Sequence, residues 1–109
     1  MGHYSPLKED SMKIKSGDVV KVMCGAHIDG FASIAAYSFV AGSEKVIGRK
    51  ADVILAAHYA MMAAERAIKV DGTNADVTAA IAKVCAEYKV NPVEGVLSHS
   101  IKKHCISGN

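Results

Sequence analysis

Five histidines are the residues whose type could support metal chemistry in this chain. They are His3, His27, His58, His99 and His104. They form no HxH or HExxH motif, and none pairs with a carboxylate at ligand spacing on one element. The spacing therefore favours ordinary surface or core histidines.

Two carboxylates bracket the first apolar run and could hold a divalent ion or perform acid-base chemistry. They are Asp18 and Asp29. The side chains between them and in the following run offer thioether, thiol and methyl groups, as in Val22, Met23, Cys24, Ile34, Ala35 and Ala36. Because none supplies a carboxylate oxygen, we interpret Asp18 as a strand-entry residue and Asp29 as a turn residue.

Nucleophilic chemistry has weaker support. Ser98-His99-Ser100 puts neighbouring side chains on opposite sides of an extended segment, and the chain has no GxSxG motif. No histidine lies beside Cys24 in the local sequence, so we expect a buried, small apolar residue there. The three cysteines lack CxxC spacing, which favours reduced thiols over a disulfide framework or a zinc site.

Basic residues gather in two places. Arg49-Lys50 opens a predicted helix, and Lys102-Lys103 lies near the end of the chain. Both pairs could contact phosphates, although solvated charge is the more common explanation for such pairs. The net charge of +2 is too small to indicate nucleic-acid or membrane binding by itself.

The elements that must position these residues suit one α+β domain over 1–109. Asp29-Gly30 between two β-prone runs predicts a hairpin at about 18–41. Helical spacing predicts helices at about 48–70 and 75–90, the second capped by Thr73 or Asn74, and a strand-like tail at 92–109.

The first predicted helix should bury one apolar stripe, formed by Ile54, Ala57 or His58, Met61, Ala64 and Ile68. No run reaches the roughly 18 apolar residues of a membrane helix, and the first residues lack the apolar core of a secretion signal. The hairpin's edges have no obvious cover, which suggests a part of a larger fold. We therefore expect exposed apolar surface and self-association.

Several motifs, taken in order, resemble the proliferation-associated proteins that bind the ErbB receptor tail. They are His3-Tyr-Ser-Pro6, Gly17-Asp-Val-Val-Lys-Val22, Gly25-Ala-His-Ile-Asp-Gly-Phe31, Gly48-Arg-Lys-Ala-Asp-Val53 and the run from Pro92 to His104. That family is a non-peptidase branch related to type II methionine aminopeptidases. The resemblance implies part of their pita-bread fold.

The resemblance also places the positions of a peptidase site. His3 corresponds to the family's substrate-side histidine, and His99 corresponds to a metal-binding histidine. The first two metal aspartates of the peptidases fall on Met23 and Ile34, and their two metal glutamates correspond to positions beyond Asn109. Thioether and methyl groups cannot replace carboxylates, so we expect a vestigial site that holds no metal or other cofactor and has no catalytic residue.

By resemblance, the expected protein is non-catalytic and growth-regulatory, and it occurs in the cytoplasm and nucleus, including the nucleolus. Its expected partners are structured RNA, ribosomal subunits and other proteins, with DNA suggested by a related branch named for curved DNA; no membrane partner is expected. Arg49, Lys50, Lys102 and Lys103 are the candidate nucleic-acid contacts. The alternative is a divergent or inactive methionine aminopeptidase fragment, in which His99 would retain metal.

Overall fold

A computed structural model of the protein describes residues 7–107. A short 3₁₀ turn at Lys8–Asp10 precedes a hairpin of two strands, β1 (Val19–Ile28) and β2 (Phe31–Val40). Two helices follow, α1 (Arg49–Ala67) and α2 (Asn74–Glu87). The expected α+β order of a hairpin followed by two helices is confirmed.

The hairpin turn has the backbone geometry that an Asp-Gly pair favours. Asp29 and Gly30 both have positive φ, at 50° and 84°, which matches the tight turn whose twist suits paired strands. From this turn the antiparallel register runs without a break from the pair of Ile28 and Phe31 to the pair of Val19 and Val40. The turn prediction is therefore confirmed.

Strand alternation divides the hairpin side chains between two faces. We call one the Met23 face; its members are Val19, Lys21, Met23, Gly25, His27, Ala32, Ile34, Ala36, Ser38 and Val40. We call the other the Tyr37 face; its members are Val20, Val22, Cys24, Ala26, Ile28, Phe31, Ser33, Ala35, Tyr37 and Phe39. The Tyr37 face carries no charged residue.

Helix α1 buries a different stripe from the predicted one. Ala56 and Ala60 are its buried residues, whereas Met61 and Ile68 from the predicted stripe are mostly exposed. Small alanines allow the backbones of α1 and α2 to approach closely, and burial falls on them rather than on the larger side chains of the predicted stripe. The helix also ends at Ala67, three residues before the predicted end, because Ile68 is already extended.

Helix α2 begins with a reciprocal capping box at Thr73, one of the two cap residues that the sequence offered. The Thr73 hydroxyl accepts from the Asp76 N–H at 3.3 Å, and the Asp76 carboxylate accepts from the Thr73 N–H at 2.9 Å. These hydrogen bonds, to the Thr73 backbone and then its hydroxyl, hold the pKa of the Asp76 carboxyl below its ordinary value of 3.8.

The end of α2 is fixed by a left-handed residue. Lys89 has φ of 52°, and the N–H groups of Lys89 and Val90 donate to the carbonyls of Ala86 and Cys85 at 3.0 and 2.9 Å. This pair of bonds is the Schellman arrangement, which satisfies carbonyls at a helix C-terminus. The helix thus ends at Glu87, three residues before the predicted end.

The tail forms a turn where the sequence favoured strand-like structure. Within 92–107, backbone pairing is confined to one isolated bridge between Lys102 and Cys105. The His104 N–H donates to the Gly30 carbonyl at 2.8 Å, so this turn sits on the tip of the hairpin. We call this contact the tail clasp.

Burial is concentrated between the helices. Ala56, Ala60 and Cys85 are the buried apolar residues of the described chain, and the rings of Tyr59 and Tyr88 stack at 6.1 Å between centroids. Cys24, expected to be buried, is exposed because it lies on the uncovered Tyr37 face. Among residues 7–107, no helix is long and apolar enough to cross a membrane.

Candidate functional site

The two positions matched to metal aspartates lie together on the Met23 face. Met23 pairs with Ala36, and Ile34 pairs with Gly25, so Met23 and Ile34 are diagonal neighbours across the hairpin. Ile34 leans over its partner: a Cβ built on Gly25 would lie 3.2 Å from the Ile34 Cγ1. The hairpin therefore brings these two side chains to one place.

The chemistry at this place is apolar. Met23 is 60% exposed and Ile34 is 44% exposed, and neither carries an oxygen that could bind a hard divalent ion. Within residues 7–107, no group of three or more histidine, cysteine, aspartate or glutamate side chains is arranged to hold a metal ion. Met23 and Ile34 thus present thioether and alkyl groups at this place.

Of the two histidines matched to the peptidase site, the structure describes one. His3 lies outside the described residues. His99 lies in the exposed tail, where its Nδ1 is 3.2 Å from the carbonyl of the neighbouring Ser100. This hydrogen bond is local, and the tail clasp is formed by His104 instead.

The first basic pair is engaged in holding the helices and hairpin together. Arg49 donates to the carbonyls of Tyr88 and Lys89 at 3.4 and 3.0 Å, and its guanidinium lies 3.9 Å from the carboxylate of Asp52. A cation at the last carbonyls of α2 is favourable because the helix C-terminus is partially negative. Arg49 therefore has a structural role that its sequence position did not reveal.

Lys50 makes the matching contact with the hairpin. Its Nζ donates to the carbonyl of Gly17 at 2.6 Å, just before β1 begins. This bond ties the first turn of α1 to the open end of the hairpin. Arg49 and Lys50 together connect α2, α1 and β1.

The second basic pair lies at the other end of the hairpin. The Lys103 Nζ is 5.2 Å from the centre of the Phe31 ring, a distance typical of a cation–π contact. The Lys102 backbone pairs with Cys105 in the turn that forms the tail clasp. Both lysines are exposed.

The structure does not bring the two basic pairs together. Lys50 is bound next to the start of β1, and Lys103 lies over the first residue of β2, beside the turn. Ten strand residues at about 3.3 Å each separate these ends by roughly 30 Å. Any ligand that contacts both pairs must span the length of the hairpin.

An apolar cleft of about 440 Å³ lies between the hairpin, the helices and the segment after α2. Its lining is formed mainly by aliphatic side chains, including Val53, Ala57, Ile81, Val90 and Pro92. The β-strand residues that line it all belong to the Met23 face. The ionisable side chains among its lining residues are Lys21 and Cys85.

Residues 1–106 match the profile of metallopeptidase family M24. The chain belongs to this family. Three similar relatives are ERBB-3 binding protein 1 of Arabidopsis thaliana (47% identical over the whole chain), the curved DNA-binding protein of Schizosaccharomyces pombe (49% over 97%) and proliferation-associated protein A of Dictyostelium discoideum (43% over 99%). Methionine aminopeptidases match at a lower identity of 28 to 30%.

These matches confirm the resemblance to proliferation-associated proteins and the pita-bread fold class of this M24 chain. The chain spans 28% of the Arabidopsis relative and 29% of the other two relatives. The chain therefore covers less than a third of the length of each of these relatives.

The tail clasp is the feature that the sequence did not predict. Gly30 was predicted as a turn residue, but the His104 ring covers it so closely that a Cβ on Gly30 would clash with the ring. A contact between residues so far apart has no local periodicity or spacing to indicate it. The one available signal was that both motifs belong to the same family resemblance.

Proposed function

We propose that this M24 chain is a non-catalytic, growth-regulatory binding protein of the cytoplasm and nucleus that contacts nucleic acid and protein partners. The observation that carries the proposal is the placement of Met23 and Ile34 as diagonal neighbours on one sheet face. These are the positions that the family resemblance matches to the first two metal aspartates of the peptidases. A thioether and a branched alkyl group there leave a divalent ion without its charged oxygen ligands.

The loss of these ligands would remove the chemistry of the site. A dinuclear metal site activates water and polarises the substrate carbonyl, and both effects need the ions to be bound. Apolar side chains at the same place favour contact with another molecule's apolar surface instead. These considerations support a binding role rather than a weakened peptidase.

Nucleic acid is supported as a partner by the placement of the basic pairs. Arg49-Lys50 and Lys102-Lys103 lie at opposite ends of the hairpin, roughly 30 Å apart. One helical turn of duplex DNA has a similar length, so a single duplex could meet both pairs with its phosphates. One relative is named for binding curved DNA, and we further propose structured RNA and ribosomal subunits as partners.

Protein partners are supported by the relatives' names and by the exposed surface. The Arabidopsis and potato relatives are named for binding ERBB-3. On this chain, the Tyr37 face exposes aromatic and aliphatic side chains together, including Ile28, Phe31 and Tyr37. Aromatic residues are enriched in protein interfaces because each contributes a large apolar area.

The test of nucleic-acid binding is a salt titration of affinity. Fluorescence anisotropy would measure binding of the chain to a labelled RNA hairpin and to a curved DNA duplex. We expect the Lys102→Ala, Lys103→Ala double variant to bind more weakly than the natural chain. The slope of log affinity against log salt should fall by about 1 for each phosphate that the variant no longer neutralises.

The matched control is the Lys69→Ala, Lys83→Ala double variant, which removes the same charge from other positions. The control should retain a larger share of the affinity and of the salt slope. Equal losses in both variants would show that net charge alone governs binding. No binding by the natural chain at low salt would overturn the nucleic-acid part of the proposal.

The second candidate function is that of a divergent or inactive methionine aminopeptidase. The observation in its favour is the match to methionine aminopeptidases over 94% of this chain. In such a protein, His99 would retain a metal with ligands other than Met23 and Ile34. Titration of the natural chain with a divalent metal separates the two candidates, because only the second requires tight binding.

A further inference from the structure

The sequence contains two Asp-Gly pairs, and both lie in turns. Asp29-Gly30 forms the hairpin turn, and Asp71-Gly72 lies between the two helices. Aspartate before glycine is prone to form a succinimide, because glycine has no side chain to hinder its amide nitrogen as it attacks the carboxyl carbon. Position 30 must remain glycine, since a Cβ there would clash with the His104 ring. The tail clasp therefore maintains a reactive pair in the hairpin.

Succinimide formation requires a particular rotation of the aspartate backbone. The amide nitrogen of the next residue must lie on the same side of the Cα–C bond as the aspartate Cβ. For an L-residue this occurs at ψ of about −120°, which is also the value at the first central residue of a type II′ turn. In a type I′ turn the same residue has ψ of about +30°, and the nitrogen points away from the carboxyl group.

The hairpin turn is one peptide rotation away from the reactive geometry. Positive φ at both Asp29 and Gly30, 50° and 84°, defines a type I′ turn. The φ of Asp29 already lies near the value of about +60° that a type II′ turn requires at this position. Rotating the peptide between Asp29 and Gly30 completes the change, and glycine tolerates the accompanying reversal of its φ. Both turn types suit two-residue hairpins, so the strands stay paired.

This rotation breaks no hydrogen bond among residues 7–107. The hydrogen bonds formed within that range include none from the Gly30 N–H and none to the Asp29 carbonyl. Gly30 accepts the His104 N–H with its own carbonyl, which belongs to the following peptide. The reacting peptide can therefore rotate while the tail clasp remains closed.

The second Asp-Gly pair differs in this respect. Asp71 also has positive φ, at 62°, but the Gly72 N–H donates to the Lys69 carbonyl at 3.1 Å. Rotating the peptide between Asp71 and Gly72 breaks this bond, and its loss adds to the free energy of reaching the reactive geometry. The two pairs share the same residue types and differ in the turn that holds them.

We propose that Asp29 is a site of spontaneous isoaspartate formation and that it reacts faster than Asp71. The Gly30 nitrogen forms a bond to the Asp29 Cγ, and the carboxyl hydroxyl leaves as water with the amide proton. Water then opens the succinimide ring. Attack at the main-chain carbonyl breaks its bond to the Gly30 nitrogen and gives isoaspartate, whereas attack at Cγ restores aspartate. No oxidant or other reactant is needed.

The product changes both the turn and its recognition. In isoaspartate the main chain runs through Cβ and Cγ, so a two-residue turn gains one carbon atom. This shifts the Gly30 carbonyl relative to the His104 N–H and weakens the tail clasp. The α-carboxylate becomes free, and it is the group to which an isoaspartate-specific carboxyl methyltransferase moves a methyl group from a sulfonium donor. Such an enzyme is the class of partner that this site would take.

The test compares the two pairs within one molecule. The natural chain is incubated in warm, near-neutral buffer, and samples taken over time are digested with trypsin. Asp29 is the single aspartate of the peptide 22–45, and Asp71 lies in the peptide 70–83. Chromatography with mass detection separates isoaspartyl from aspartyl forms, and heavy-oxygen water marks each ring opening. We expect isoaspartate to form at Asp29 several times as fast as at Asp71.

The same incubation in urea separates the turns from the sequence. Unfolding removes both turns, so the ratio of the Asp29 rate to the Asp71 rate should fall. A ratio that is the same in buffer and in urea would overturn the proposal, whether the chain is folded or not. Reaction at Asp71 as fast as at Asp29 in buffer would also overturn it, as would a peptide 22–45 without isoaspartate.

The effect on the tail clasp has a matched variant. Hydrogen exchange of the His104 amide should quicken as the natural chain ages. The Asp29→Glu variant keeps the charge, but its longer side chain closes the corresponding six-membered ring much more slowly. Exchange in that variant should stay constant over the same period. Equal quickening in both chains would show that the clasp opens for a reason other than isoaspartate at position 29.

Discussion

Single side chains decide what the Met23 face can do. Met23 and Ile34 meet as diagonal neighbours, and a carboxylate at each position would place two oxygen-bearing groups side by side. The backbone arrangement is therefore compatible with a paired-ligand site, while the side chains are not.

The first prediction at this scale concerns metal binding. In calorimetric titration with Mn²⁺ or Co²⁺, the natural chain should give no binding heat. The Met23→Asp, Ile34→Asp double variant should gain measurable binding because it restores two charged oxygen ligands. The Met23→Asn, Ile34→Asn variant is the matched control, with similar size and no charge, and should stay silent.

Stoichiometric, tight binding of Mn²⁺ by the natural chain would support the aminopeptidase alternative. The His99→Ala variant would then test whether that histidine is a ligand. Loss of the signal in that variant would place the metal in the tail, away from Met23 and Ile34.

The second prediction concerns acid stability at the α2 cap. Because the folded pKa of Asp76 lies below 3.8, the folded state binds this proton less readily than the unfolded state does. The resulting stabilisation is present above pH of about 3.8 and is lost as the pH falls through the folded pKa. The Asp76→Asn variant should therefore lose less stability than the natural chain on acidification.

The measurement is the melting temperature followed by far-ultraviolet circular dichroism, from near-neutral to strongly acidic pH. Near neutral pH the natural chain should melt at the higher temperature, and the two curves should converge in acid. Curves that remain parallel throughout would show that the capping carboxylate contributes no charge-dependent stability.

At the scale of elements, the turns and caps follow from local residue chemistry. Which face of an element becomes buried does not follow from it. Asp29-Gly30 and Thr73 predicted the hairpin turn and the α2 cap because both depend on a few adjacent residues. The stripe of α1 was predicted wrongly because a near-uniform run of alanines gives little contrast between its sides. Burial falls instead on Ala56 and Ala60, which line the same cleft as Ile81 and Cys85 of α2.

The sequence also indicated which residues occupy the candidate site, but not what they touch. Adjacent basic residues suggested free charge, yet Arg49 and Lys50 bind backbone carbonyls that lie 33 to 40 positions away in the sequence. Such contacts depend on how the elements pack, which local periodicity does not determine. The roles of Lys102 and Lys103 in binding remain predictions.

The third prediction concerns the tail clasp, the contact between the turn at His104 and Gly30. Gly30→Ala and Gly95→Ala both place an alanine where φ is positive, at 84° and 75°. A Cβ at Gly30 also meets the His104 ring, whereas nothing lies within 4 Å of one at Gly95. We expect Gly30→Ala to lower the free energy of unfolding by about 1 kcal/mol more than Gly95→Ala does.

Urea unfolding of the two variants provides the measurement, and hydrogen exchange of the His104 amide provides the local readout. This exchange should quicken in Gly30→Ala and stay unchanged in Gly95→Ala. Equal destabilisation in the two variants would indicate that backbone strain alone is responsible and that the ring contact contributes nothing.

On the scale of the whole molecule, the chain is open. Its radius of gyration is 16.4 Å, against about 13 Å for a compact domain of this length. The described core is formed by a few residues between the helices, while both hairpin faces retain large exposed side chains. The chain is open because the hairpin contacts the helices mainly near its open end, where β2 meets α1.

The fourth prediction follows from this openness. With about 17,000 Å² exposed when unfolded and 9616 Å² when folded, the chain buries roughly 40% of its surface, against more than 60% for a compact domain of this size. Since the urea m-value scales with newly exposed area, it should lie well below that of compact domains of similar length. A dilute sample that sedimentation velocity shows to be monomeric is the suitable one.

A control for this prediction is the natural chain at high concentration. If copies associate, its m-value should rise toward the compact range, because unfolding then exposes the interface as well. A high m-value in a monomeric sample would mean that the chain buries more surface in solution than its described structure does.

The tail clasp also sets an order of events during synthesis. The Gly30 carbonyl can accept its bond only after His104 has been made, about 70 residues later, and at 5 to 20 residues per second this delay is about 4 to 15 s. Hairpins form within about 10 μs, so the hairpin tip must stand without its cover for seconds after it is made. A nascent-chain chaperone would therefore meet the tip with Gly30 uncovered, seconds before the His104 ring can close over it.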